Sequence, residues 1–205
     1  QFQVTVTEYS PYSNSLPGMV LWLDANDVNG DGLPETSSDF VSGGSNGVVS
    51  SWADRSGSAN NLAQSNVTKM PAYQVVNSKA RISFDGTNDS LDKIFNSSNP
   101  LPSSLTGNPG GTVLIAADAS SNGRILHIGS TSGTANQVIA MTSTGSFKYN
   151  QGELSPFSNF TGLTVGTFRR AAGATRGDGE FYRFGAKQTM NATNGLGTPN
   201  IQANS

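Results

Sequence analysis

Residues 80–91 read ARISFDGTNDSL. The run 80–84 is β-prone, and Asp85, Gly86, Thr87 and Asn88 are turn chemistry that closes it. The same rhythm extends outward in both directions. Upstream stand LWLDA at 21–25, SWADRSG at 51–57, NNLAQ at 60–64 and PAY at 71–73. Downstream, β-prone runs fall at 112–117, 124–128, 137–142, 146–149, 163–169 and 180–184, divided by Gly, Asn and Ser. SSNG at 120–123 and GDG at 177–179 are hairpin-like punctuation. Residues 19–23, MVLWL, read as a buried strand, and 48–52 as another. Helical periodicity is weak, with at most a turn of helix at 59–64 or 102–105.

The bulk numbers agree with β structure. The chain has 205 residues, of which 13% are charged and 24 are Gly. Ser, Thr and Asn dominate the remainder; they suit strand faces and turns and fill helix interiors poorly. The formal net charge is −2, and no Lys/Arg stripe marks a nucleic-acid binder. No apolar run is long enough for a membrane helix. There is no Cys, so no disulfide staples the fold. Short strands with such turns predict a sandwich or barrel.

In their order and spacing, the blocks from LWLDA to FDGTNDSL resemble the N-terminal half of the laminin-G-like, concanavalin-A-like jelly rolls of bacterial secreted or surface proteins. The resemblance is sharp over 18–92 and continues as strand rhythm beyond. It implies an all-β, two-sheet antiparallel jelly-roll sandwich in an extracellular or cell-surface setting. It also implies frequent binding of carbohydrate or of a surface protein. Trp22, Trp52 and Phe84 suit a sandwich core. Asp54, Ser56 and Gly57 are expected to hold a loop through side-chain to backbone bonds.

Such domains close with an apolar strand beside the LWLDA strand, whereas this chain ends MNATNGLGTPNIQANS. The expected organisation is therefore an N-terminal strand and linker at 1–17, then a jelly-roll domain at 18–205 lacking its closing strand. In residues 1–9, QFQVTVTEY, Phe2, Val4 and Val6 alternate with Gln3, Thr5 and Thr7. This half-buried strand suits closure of the edge in its own chain or in a second copy. Continuation of the natural chain past Ser205 is a third reading, and Gln1 could be a processed N-terminus or a boundary.

The best site candidate is DVNGDGLPETSSD at 27–39. Asp27, Asn29 and Asp31 alternate and Gly32 follows, the opening of a calcium loop. Ca²⁺ takes several hard oxygens from a tightly curved loop. The Leu33 carbonyl is the expected next ligand, and Glu35 or Asp39 completes the shell. Ser38 stands where an EF-hand has its twelfth-position Glu, so an isolated structural loop is expected. The bland alternative is an Asx-rich surface turn.

Catalytic signals are sparse. His127 is the only His, and there is no G-x-S-x-G elbow for a triad. No pair of alternating acids marks a glycosidase; Glu8, Glu35, Glu153 and Glu180 are scattered. SFKYNQ at 146–151 resembles the Lys/Tyr/Gln strand of sandwich polysaccharide lyases, without their other motifs. Arg176-Gly177-Asp178 reads as a charged turn more readily than as an integrin ligand. Asn-x-Ser/Thr sequons, among them those at Asn66, Asn96, Asn159 and Asn191, are what chance gives in this composition. Tyr9, Tyr12, Tyr73, Tyr149 and Tyr182 are sugar-stacking candidates by type alone.

The expectation is a non-catalytic extracellular binding or adhesion module with a structural calcium loop, recognising carbohydrate or a cell-surface protein. A filament subunit assembling by strand donation from 1–9 is the alternative, and a polysaccharide lyase or hydrolase the second. Neither nucleic-acid binding nor membrane insertion is expected.

Overall fold

The computed structural model describes residues 17–41, 47–96, 98, 100–103, 110–118, 124–129, 137–142, 147–149, 152–155, 164–170, 179–188 and 191–194. Among them the strands are β1 (Ser51–Trp52), β2 (Leu62–Ala63), β3 (Ala72–Val76), β4 (Lys79–Ser83), β5 (Gly111–Ala117), β6 (Arg124–Gly129), β7 (Gln137–Thr142), β8 (Phe147–Tyr149), β9 (Gly152–Ser155), β10 (Thr164–Arg170), β11 (Glu180–Arg183), β12 (Ala186–Lys187) and β13 (Asn191–Asn194). Every strand pair is antiparallel. The described helical elements are two 3-10 turns, Ser37–Asp39 and Val67–Lys69. The chain is all-β and forms two compact units, Gln1–Lys93 and Ile94–Ser205.

The first unit contains short ladders, β1 with β2 and β3 with β4. Asn77 and Ser78 turn the β3–β4 hairpin with φ of 52° and 61°. Left-handed backbone at both central residues is what a two-residue hairpin needs to match strand twist. Val28, Phe40, Val49 and Tyr73 are buried together, with Trp52, Ala80, Ile82 and Leu91 packed on them. Phe40 and Tyr73 stack at 4.5 Å between ring centroids.

Side chains do much of the work that strands do elsewhere. Asp54 Oδ1 accepts the amides of Trp22 and Ser56, each at 2.9 Å. Its Oδ2 accepts the Asn60 amide at 2.9 Å and the Ser56 hydroxyl at 2.8 Å. Asn60 Nδ2 donates to the Val20 carbonyl at 2.8 Å, and Arg55 N to the Trp22 carbonyl at 2.9 Å. Trp52 Nε1 reaches the Asp24 carbonyl at 2.9 Å. The LWLDA, SWADRSG and NNLAQ blocks are thus one hydrogen-bonded knot. Burial alone would push the Asp54 carboxyl up; the amides of Trp22, Ser56 and Asn60 and the Ser56 hydroxyl outweigh it and hold it low.

The second unit carries two larger sheets, ordered β12-β11-β10-β5 and β13-β9-β8-β7-β6. In the first, Phe168 lies opposite both Phe181 and Val113. Phe168 is 2% exposed and Phe181 0%, so this face is core. Neighbouring residues along a strand face opposite sides. Thr112, Leu114, Thr167, Arg169, Glu180, Tyr182 and Lys187 therefore share the other face. Phe184 (φ 48°) and Gly185 (φ 79°) turn β11 into β12.

Two adjacent rows cross all five strands of the second sheet. Leu126, Met141, Phe147, Leu154 and Ala192 make one, wholly apolar. His127, Ala140, Lys148, Glu153 and Asn194 make the next. Register shifts interrupt the β6–β7 pairing, at Arg124/Leu126 and Ile128/Gly129, and the β13–β9 pairing, at Ala192/Asn194.

The structure departs from the sequence expectations at four places. Residues 19–23 lie outside the strands: their backbone is bonded by Asp54, Asn60 and Ser58 instead of a ladder. Phe84, expected in the core, is 47% exposed, because it follows β4 at the turn. Residues 62–63, inside a candidate helical turn, form β2 with β1. Near the C-terminus β13 is a strand after all, but it pairs with β9. The strand expected at 1–9, the turn at 120–123, residues 104–105, Asn159 and Arg176-Gly177-Asp178 lie outside the described residues.

Candidate functional site

The loop 27–39 is seated on the core of the first unit by Val28, which is 2% exposed. The Val28 carbonyl accepts the Ala53 amide at 2.8 Å, locking the loop to the SWADRSG segment. Gly30 and Gly32 have φ of 79° and 81°. A Cβ on Gly30 would stand 2.8 Å from Ala53 Cβ, so the close approach of loop and segment requires glycine there.

Each candidate ligand has a definite place. Asp27 is 5% exposed; its Oδ2 accepts the Gly32 amide at 3.1 Å and pairs with the Arg55 guanidinium. Asp27 Oδ1 is buried with no hydrogen-bond partner. Asn29 Oδ1 accepts the Asp31 amide at 3.0 Å. Asn29 Nδ2 donates to Asp31 Oδ2 at 3.1 Å and to Asp39 Oδ1 at 3.0 Å. Asp31 Oδ1 accepts the amide of Leu33, whose side chain is 64% exposed. Glu35 Oε1 accepts the Val28 amide and, at 3.4 Å, that of Asn29. Glu35 Oε2 is buried without a hydrogen-bond partner. Asp39 Oδ2 takes the Thr36 amide at 2.6 Å and the Thr36 hydroxyl at 2.8 Å.

The loop thus curls on itself, with its first residue bonded to its sixth and its third to its fifth. Burial pushes the Glu35 carboxyl up, and Asp39 and Asp31 add to the rise; the amides of Val28 and Asn29 oppose it. The Thr36 amide and hydroxyl hold Asp39 low. Burial and the Glu35 charge push the Tyr73 hydroxyl up.

Among the described residues, no three carboxylate, thiol or imidazole groups converge on one metal position. The motif itself supplies some of its oxygens from Asn29 and the Leu33 carbonyl, and Asp31 and Asp39 are turned to amides and a hydroxyl. The buried, unpartnered oxygens of Asp27 and Glu35 are hard donors of the type Ca²⁺ takes.

Arg55 is the partner that motif reading missed. Its side chain is 15% exposed, and its guanidinium lies 5.7 Å from the Trp22 ring centroid and balances Asp27. No spacing rule links residues 28 positions apart.

A second polar array lies on the open face of the β10–β11–β12 ladder. Glu180 accepts from Arg169 and, at 2.6 Å, from Lys187. Lys187 first and Arg169 second hold the Glu180 carboxyl at about 2. Arg169 sits 5.2 Å from the Tyr182 ring centroid, so a cation already covers this sugar-stacking candidate. Tyr73, another candidate, is 7% exposed and belongs to the core. Compared with family models, curated proteins and solved structures, the chain matches none of them.

Proposed function

We propose that this chain is a calcium-stabilised, non-catalytic binding module of an extracellular or cell-surface protein, with the two-sheet jelly-roll architecture of laminin-G-like and concanavalin-A-like domains. The observation that carries the reading is the pair of buried carboxylate oxygens, Asp27 Oδ1 and Glu35 Oε2, that no donor satisfies. A buried acceptor without a partner costs roughly 1–3 kcal/mol, and a cation removes that cost. Asp27, Asn29, Asp31, the Leu33 carbonyl, Glu35 and Asp39 are the residues that would hold Ca²⁺. The ion would supply charge neutralisation and loop rigidity. Weak calcium loops of this sort work outside cells, where sites of about 10⁻⁴–10⁻³ M affinity are filled.

The test is thermal unfolding in EDTA and in calcium. At ten times Kd the ion should add about 1.4 kcal/mol, visible as a rise of several degrees in Tm. Asp31→Ala should erase the increment. A Tm identical in chelator and calcium overturns the calcium reading.

A specific observation favours self-assembly as a second reading. β5, at the border of its sheet, reads GTVLIAA with no charge or Pro, and Leu114 is 70% exposed. Uncharged edges of this length invite a further strand. The alternating segment 1–9 of another copy has the right pattern to supply one. Deleting 1–9 should then lower the oligomeric mass in sedimentation; an unchanged mass rejects this reading.

A further inference from the structure

The loop at 27–39 carries four carboxylates, Asp27, Asp31, Glu35 and Asp39, and no Lys or Arg. Counter-charge reaches it from outside. The Arg55 guanidinium pairs with Asp27 Oδ2, the oxygen that also accepts the Gly32 amide. Asp27 is 5% exposed and the Arg55 side chain 15%, so the pair is largely withdrawn from water. Asp27 Oδ1 is buried with no hydrogen-bond partner, as is Glu35 Oε2. One buried carboxylate thus meets a guanidinium on one oxygen and offers the other to a further donor or cation.

Arg55 is anchored on both sides of this contact. Its amide donates to the Trp22 carbonyl at 2.9 Å, and its guanidinium lies 5.7 Å from the Trp22 ring centroid. Two residues earlier, the Ala53 amide donates to the Val28 carbonyl at 2.8 Å. The segment therefore ties the loop to the knot around Asp54. A guanidinium stays protonated in proteins, so Arg55 cannot step aside by losing a proton. A divalent ion that takes Asp27 as a ligand must do so beside a fixed positive charge, in a site where water screens poorly.

We propose that Arg55 is the resident counter-cation of the loop, competing with Ca²⁺ for Asp27 and setting how weakly the ion binds. The inference rests on the calcium reading and names the regulation of that site. Without the ion, the guanidinium neutralises Asp27 and keeps the loop closed on the SWADRSG segment. With the ion, Asp27 turns to a doubly charged partner, and the guanidinium loosens from it beside the Trp22 ring. Removing Arg55 leaves a buried charge uncompensated, which costs stability and raises the demand for a cation.

The experiment is calorimetric calcium titration and thermal unfolding of the full chain, comparing the parent with Arg55→Gln and Arg55→Lys. Arg55→Gln should bind calcium about tenfold more tightly, melt below the parent in EDTA and approach it at saturating calcium. Arg55→Lys keeps the charge and should stay near the parent Kd. Arg55→Met, which retains apolar packing on Trp22, is used if the Gln variant does not fold. In the parent, tryptophan emission should change as calcium binds, because the cation beside Trp22 is disturbed. Three results overturn the proposal and leave the calcium loop standing: equal or weaker binding in the charge-removing variant, Arg55→Lys binding as tightly as Arg55→Gln, or constant parent emission while calorimetry registers binding. Binding in Arg55→Gln with none in the parent rejects the calcium-stabilised reading and leaves the competition standing. Absence of binding in every protein rejects both.

Discussion

The Asp54 carboxylate accepts the backbone amide of Trp22 at 2.9 Å, across 32 positions of chain. Both of its oxygens are used, on three amides and one hydroxyl from residues 22, 56 and 60. The aspartate substitutes for strand pairing along residues 19–23.

Asp54→Ala should therefore destabilise the protein by about 3 kcal/mol, since several donors lose a charged acceptor at once. Urea unfolding checks it. A loss under about 1 kcal/mol would mean that water satisfies the amides equally well. The folded Asp54 is held below its ordinary range. Its contribution is thus complete above the unfolded value of about 3.9 and fades as pH falls through the lower folded value.

Glu35 has the opposite sign. Its folded carboxyl is raised, so ionising it costs stability; the cost is full above the folded value and fades as pH falls from there through the lower unfolded value. In EDTA at neutral pH, Glu35→Gln should match or exceed the parent in Tm. In calcium the order should reverse, because the variant loses a charged ligand. Parallel shifts of both proteins with calcium would contradict a ligand role for Glu35.

Phe181 and Phe84 form a matched pair for the core assignment. Phe181 is 0% exposed and faces Phe168 across the ladder; Phe84 is 47% exposed. Phe181→Ala should cost about 3–5 kcal/mol and Phe84→Ala no more than about 1 kcal/mol. Equal losses in chemical denaturation would put Phe84 back in the core.

Much of the strand plan was legible in residue order. The runs at 112–117, 124–128, 137–142, 163–169 and 180–184 match β5, β6, β7, β10 and β11 to within a residue or two. Alternation carries that information locally. β3 was missed because AYQVV lacks clean alternation, and β12 because two residues are too short for a period. The loop at 27–39 was legible as a motif, since its spacing is local. Arg55 on Asp27 and Glu35 on the Val28 amide were not.

Sequence by itself determined the all-β class, the strand rhythm and the curl of the Asp27–Asp39 loop, because each depends on neighbours a few residues apart. Only the tertiary structure decided how residues 19–23 are held, which aromatic rings are buried, and that His127, Lys148 and Glu153 share one row. Those relations join distant residues, and burial and register arise only once the chain has closed on itself.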